Sequence, residues 1–161
     1  MSYWPITRIK SADSASIDAF ARQRISNVTT LFDSKQLYDK QPLFWDEEIV
    51  NSGSTTSTHS TTDAATTMTV GAASGDFVIR QTKRRFNYQP GKSQLILMTG
   101  VLGTQTANVT KRLGYFNSNT TTPFASNLDG IYFEDDGTGA TGYKWVQSKN
   151  GTPTTAAKGS W

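Results

Sequence analysis

Bulky apolar residues come in short bursts of strand length, separated by stretches of Thr, Ser, Gly and Asn. The most informative stretch covers residues 80–102, RQTKRRFNYQPGKSQLILMTGVL. A basic strand runs into Pro90-Gly91, a pair that favours a type II turn, and then into the most apolar run of the chain. Residues 93–102 carry apolar groups on both parities, so they predict a core strand, central in a sandwich or covered by a partner. Residues 77–88 predict the strand before it. Neither parity there is cleanly apolar, which points to a bulge or a change of partner near Thr82. Residues 42–50 predict the first strong strand, and 108–116, 130–134 and 143–146 predict further short strands bounded by turn residues. Residues 51–67, NSGSTTSTHSTTDAATT, hold no bulky apolar side chain and predict a long exposed loop. A strand starting near Thr66, with Met68 and Val70 inward, is the alternative there.

This pattern predicts an all-β chain folded as an antiparallel β-sandwich of jelly-roll type. Three regions are expected: an N-terminal arm or assembly segment over 1–40, the sandwich domain over 41–147, and a polar C-terminal tail over 148–161. The arm is extended or partly helical. Within it, Ser16 is placed to cap a short helix whose Ile17, Phe20, Ala21 and Arg24 share one face. Two bulky apolar residues in that set make the helix marginal by itself.

Composition supports the β assignment. The chain has 24 Thr and 16 Ser, a quarter of its 161 residues, and only 18% charged residues. Thr suits strands, whereas Ser, Gly and Asn suit turns. Cysteine is absent, which removes disulfides, thiolate chemistry and Cys metal sites. A net charge of +3 is compatible with nucleic-acid contact without demanding it. The chain opens MSYWPITRIKSADS, with no apolar signal core, and no run has the length of a membrane span. Synthesis in the cytoplasm is therefore expected.

Candidate catalytic chemistry is thin, and no enzyme activity and no cofactor are expected. Gly91-Lys92-Ser93 imitates the end of a P-loop, but the position that needs the first glycine holds Phe86. His59, the sole histidine, lies in the Ser/Thr-rich stretch without evident partners, and it is expected to be an exposed loop residue. Asp129, Glu134, Asp135 and Asp136 form the densest acidic cluster. A solvated turn accounts for them better than calcium binding or a glycosidase pair, since the spacing is not that of an EF-hand. Asn-x-Thr matches such as those at Asn27, Asn108 and Asn119 are expected from the Thr content alone.

Two sets of residues have binding chemistry. Arg80, Lys83, Arg84, Arg85 and Tyr88, beside Phe86, combine cations with aromatics. A protein interface uses that mixture, as do single-strand nucleic-acid binders; the interface is favoured and nucleic-acid contact is not expected. Phe20, Phe32, Tyr38, Phe44 and Trp45 extend the interface set along the arm. The second set is Asp129, Tyr132, Asp135, Asp136, Tyr143 and Trp145, which would suit a sugar if the aromatics line a shallow groove.

Three stretches resemble a group of tailed-bacteriophage virion structural proteins: DAFARQRISNVTTLFDSKQLYDKQPLFWD over residues 18–46, RQTKRRFNYQPGKSQLILMTGVLG over 80–103, and VTKRLGYFNSN with DGIYFE over 109–119 and 129–134. Together they span about half the chain. The resemblance implies a head, neck, tail or baseplate component of the virion, whose partners are copies of itself and other virion proteins. It implies no chemistry and no functional residues. A host-surface glycan-binding module is the alternative reading. Proteins with this leader are often longer, so the chain is also read as the leading part of a longer protein.

Overall fold

The computed structural model describes residues 29–50, 53–87, 89–90, 93–117, 129–139 and 141–160. The helix expected over 14–25, with Phe20, lies outside these residues, as do Tyr88 and the Gly91-Lys92 part of the expected turn. Among the described residues the protein is all β, with eight strands in three antiparallel sheets and one 3-10 turn at Lys158–Ser160. No helix among them is long and apolar enough to cross a membrane. The chain divides into two compact units, Met1–Asp33 with Arg85–Leu95, and Ser34–Arg84 with Ile96–Trp161. In the first unit Phe32 meets Phe86 edge to face, with ring centroids 5.7 Å apart. All eight strands belong to the second.

In that second unit, β1 (Trp45–Val50) pairs with β4 (Phe77–Thr82). The register sets Glu47 opposite Arg80, and opposite charges across an antiparallel pair favour that alignment. The β4 strand buries Ile79, one of three buried hydrophobic residues among those described. A hairpin, β2 (Thr56–Ser60) and β3 (Ala65–Thr69), follows β1 directly. Its turn is held by Ser60 and Asp63: the Ser60 hydroxyl donates to the Asp63 carboxylate at 2.7 Å and accepts from the Asp63 N–H at 3.2 Å. Strand β2 lies inside the stretch expected to be a loop, whereas β3 falls where the alternative strand starting near Thr66 is expected, with Met68 exposed rather than inward. Alternating Thr is enough to form a ladder when a neighbouring segment supplies partners.

That segment is the strap running from Ser34 to Gln41. The Trp45 indole N–H donates to Ser34 Oγ at 2.8 Å. His59 Nε2 sits 2.7 Å from the Gln36 carbonyl oxygen, and the Thr66 hydroxyl donates to the Gln36 side-chain oxygen. Lys40 Nζ donates to Glu47 at 2.8 Å and to the Ser57 carbonyl at 2.9 Å. The strap therefore joins the β1–β4 pair to the hairpin, and it belongs with the strands rather than with residues 1–33.

The largest sheet is a meander of β5 (Lys111–Phe116), β6 (Gly130–Asp135), β7 (Tyr143–Lys149) and β8 (Thr152–Ala157). Strand parity divides its side chains. One face carries Arg112, Phe116, Tyr132, Glu134, Lys144, Val146 and Ser148, and includes the buried Tyr132 and Val146 with Phe116 packed on them. The other carries Leu113, Tyr115, Ile131, Phe133, Tyr143 and Trp145, of which Tyr115, Ile131 and Trp145 are exposed. Gly114 lies so close to β6 that an added Cβ would come 2.4 Å from Tyr132 Cα. At Gly137, φ is +75°, and a Cβ would meet the Thr106 carbonyl oxygen at 2.3 Å. A glycine is required there for the turn to sit under the chain that precedes β5.

Two departures from the sequence pattern stand out. Residues 93–102, expected to be a core strand, form no strand, and Leu97 and Val101 are 84% and 96% exposed. The expected hairpin between this segment and the basic strand is not formed, because β4 ends at Thr82 and its partner is β1. Residues 152–157, expected within a polar tail, form β8. Its six exposed residues bond along their backbone to β7, which needs no apolar side chain.

Candidate functional site

Within the second unit, the basic and aromatic residues singled out in the sequence differ in exposure. Arg80 is pulled inward: its guanidinium lies 4.8 Å over the Trp45 ring, bonds the Glu47 carboxylate and donates to the Lys40 carbonyl. Its side chain is 6% exposed, and its Nε is a buried donor with no hydrogen-bond partner. Arg80 and Trp45 thus form an internal clamp. Lys83 is exposed, and its N–H donates to the Phe44 carbonyl at 2.9 Å, extending the β1–β4 pair. Arg84 is exposed in the same unit, and Arg85 is exposed in the other. Tyr38 and Phe44 are exposed, while Phe32 is half-buried.

Glu47 is the hub of the clamp. Burial pushes its carboxyl up, but hydrogen bonds from Lys40, Ser57 and Arg80 outweigh burial and leave it below the usual carboxylate value. A negative charge held by an ammonium, a hydroxyl and a guanidinium is a structural tie.

The residues proposed from sequence for a sugar are split three ways by the meander. Tyr132 is buried on the covered face, where burial raises its phenol. Tyr143 and Trp145 lie on the opposite face, where both rings meet Phe133 from β7, with centroid separations of 5.9 and 5.5 Å. Asp129 stands at the far end of β6 and accepts the Asn150 N–H. Asp135 is fully buried; one oxygen accepts from Gln105 Nε2 at 2.7 Å and from the Gly137 N–H at 3.0 Å. Its other oxygen has no hydrogen bond and lies 3.7 Å from Lys111 Nζ. Asp136 is committed to its own turn, accepting from the Thr138 hydroxyl at 2.6 Å, the Thr138 N–H at 3.0 Å and Lys144 Nζ at 2.9 Å. These contacts lower its carboxyl to about 2.

A row of charges crosses the covered face that the sequence did not single out as a unit. Arg112, Glu134 and Lys144 are cross-strand neighbours on β5, β6 and β7. Glu134 accepts from Arg112 Nε on one oxygen and lies 3.0 Å from Lys144 Nζ on the other. Hydrogen bonds to Asp136 and Glu134 raise the Lys144 ammonium above its usual value. The row is visible only once the register is known; in sequence the three residues are scattered. No group of three or more His, Cys, Asp or Glu among the described residues is placed to hold a metal ion. His59 lies in β2, half-buried against Gln36, and not in an exposed loop.

The chemistry left accessible is apolar. The open face of the meander touches the extended segment before it, since a Cβ on Gly100 would lie 3.0 Å from Leu113 Cδ2. No protein-family model, no curated protein and no solved structure matches the chain.

Proposed function

We propose that this chain is a structural component of a bacteriophage virion, a head, neck, tail or baseplate accessory protein that assembles through subunit–subunit contacts. The observation that carries the reading is a disproportion among the described residues. Three hydrophobic residues are buried, while Leu37, Leu43, Leu95, Leu97, Val101 and Ile131 stand exposed. Apolar area of this kind is stabilising only when something covers it. The resemblance of residues 18–46, 80–103, 109–119 and 129–134 to virion proteins supplies the setting, and copies of the chain and other virion proteins are the partners. A jelly-roll-like sandwich completed between subunits belongs to this reading, because the meander is one layer and a stable β domain needs two. The role in this reading is non-catalytic: Glu47, Glu134, Asp135 and Asp136 are each buried or paired with Lys or Arg.

The test is the mass of the full-length protein by sedimentation from nanomolar to high micromolar concentration, with mass spectrometry of purified particles. A defined oligomer, and the chain among the particle proteins, is the expected result. A monomer at every concentration would refute assembly. A monomer that also binds in a glycan screen would favour host-surface attachment, with Trp145 as the half-exposed aromatic to mutate first.

A further inference from the structure

We propose that the open face of the β5–β8 meander, with the extended segment from Ile96 to Val101 beside it, docks against the same surface of a second copy of this chain. The inference rests on the assembly reading and gives it a location. A twisted antiparallel sheet is stable when its apolar face is covered by a second layer. Here the Tyr132–Val146 face is covered, whereas the Phe133 face is covered at its Asp135 end and open towards the other: Ile131 is 58% and Trp145 47% exposed.

The neighbouring segment has the same deficit in its backbone. Among the described residues, no N–H or C=O from Ile96 to Gly103 has a hydrogen-bond partner in the chain. Its sequence, ILMTGVLG, is strand-forming and apolar on both parities. Eight consecutive unpaired residues of that kind are a template for pairing with another chain. The contact of Gly100 with Leu113 makes the segment and the open face adjoin.

A second copy is the occupant for three reasons. The exposed parts of Ile96, Leu97, Met98, Val101, Ile131 and Trp145 sum to roughly 700 Å², close to the ~800 Å² per partner of a stable dimer. Of the charged groups on this face, Lys111 is paired with Asp135 at one end and the Lys158 ammonium lies 5.6 Å over the Tyr143 ring, while Leu113, Tyr115, Ile131, Phe133 and Trp145 carry no charge. An isologous contact brings each surface against its own copy, so a neutral apolar patch is self-complementary where a charged one would repel. Finally, a sugar needs accessible polar groups beside the aromatics. Asp135 is buried, Asp136 is tied to Thr138 and Lys144, and Tyr132 is on the other face.

The test compares Ile131→Lys and Val101→Lys with wild type and with Leu43→Lys, an exposed leucine outside the face, all in the full-length chain. Sedimentation gives the dissociation constant, and circular dichroism checks the fold. An unpaired ammonium buried in an apolar contact should weaken association by at least about a hundredfold. The inference predicts that loss for the first two variants, with an unchanged spectrum, and no change for Leu43→Lys. An oligomeric wild type whose mass survives both substitutions, or falls only with Leu43→Lys, overturns the location and leaves assembly standing. A wild type that is always monomeric overturns the assembly reading itself. Should Ile131→Lys fail to fold, Val101→Lys decides, because that side chain is 96% exposed in the single chain.

Discussion

Asp136 and Glu134 show how neighbouring carboxylates are separated by their surroundings. Asp136 lies at the surface, yet its carboxyl is held at about 2 by the Thr138 hydroxyl, then Lys144, then the Thr138 N–H. A folded-state value below the unfolded one means that its contribution is complete above the ordinary carboxylate range and is lost as pH falls toward 2. Thr138→Ala removes the first of these contacts, so the Asp136 value should rise toward 3.8, as read by carboxyl NMR titration; an unmoved value would show that the hydroxyl contributes nothing. Glu134 is buried between two cations. Glu134→Gln keeps its shape and removes its charge, leaving Arg112 and Lys144 partly buried without their shared anion. The expected loss is about 2–3 kcal/mol, measured by urea unfolding with an unchanged slope. A loss below ~0.5 kcal/mol would mean the row is solvated in practice.

At the scale of the element, the structure shows which strand signals survive without apolar patterning. The meander strands were legible because Leu113, Ile131, Phe133 and Trp145 alternate with partners and are bounded by Gly, Asn and Asp. Strands β2 and β8 were not, and β3 was legible only as an alternative starting near Thr66, because Thr, Ser and Ala ladders depend on which backbone lies alongside, and a linear sequence does not contain that information. Residues 93–102 failed in the opposite way: their apolar pattern describes a buried strand, but among the described residues they pair with no strand, and Leu97 and Val101 stay exposed. Backbone detail gives two tests. Ala64 closes the β2–β3 turn at φ 49°, a left-handed conformation that costs a side-chain-bearing residue about 1 kcal/mol. Ala64→Gly should therefore stabilise the protein by a fraction of that amount, since glycine also loses more entropy on folding. Gly114→Ala should do the reverse. Its Cβ would overlap the Tyr132 backbone, forcing β5 from β6 at a cost of about 1–3 kcal/mol and a lower thermal midpoint.

At the scale of the whole molecule, the sequence made the all-β class readable, but not the grouping of the candidate residues. Arg80 looked like a surface cation because a basic run usually is one; the register with Glu47 and the ring of Trp45 turn it inward. The same limit explains why the proposed interface moved from the basic strand to the open aromatic face and the apolar segment beside it. If that face is covered only on association, folding and assembly share one free energy. Unfolding then releases separate chains, and mass action makes the midpoint depend on concentration. For a dimer, a tenfold rise in protein concentration adds about 1.4 kcal/mol per mole of dimer unfolded, or ~0.7 kcal/mol per chain. For a chain of this length, that shift corresponds to roughly 2–3 °C in the thermal midpoint. Calorimetry at three concentrations spanning two decades should show the midpoint climbing by that increment at each step. Ile131→Lys should flatten the series while keeping a cooperative transition. A wild-type midpoint constant over two decades would mean that the three buried residues and the strap hold the chain alone, and the exposed apolar face would then have to be explained without a second copy.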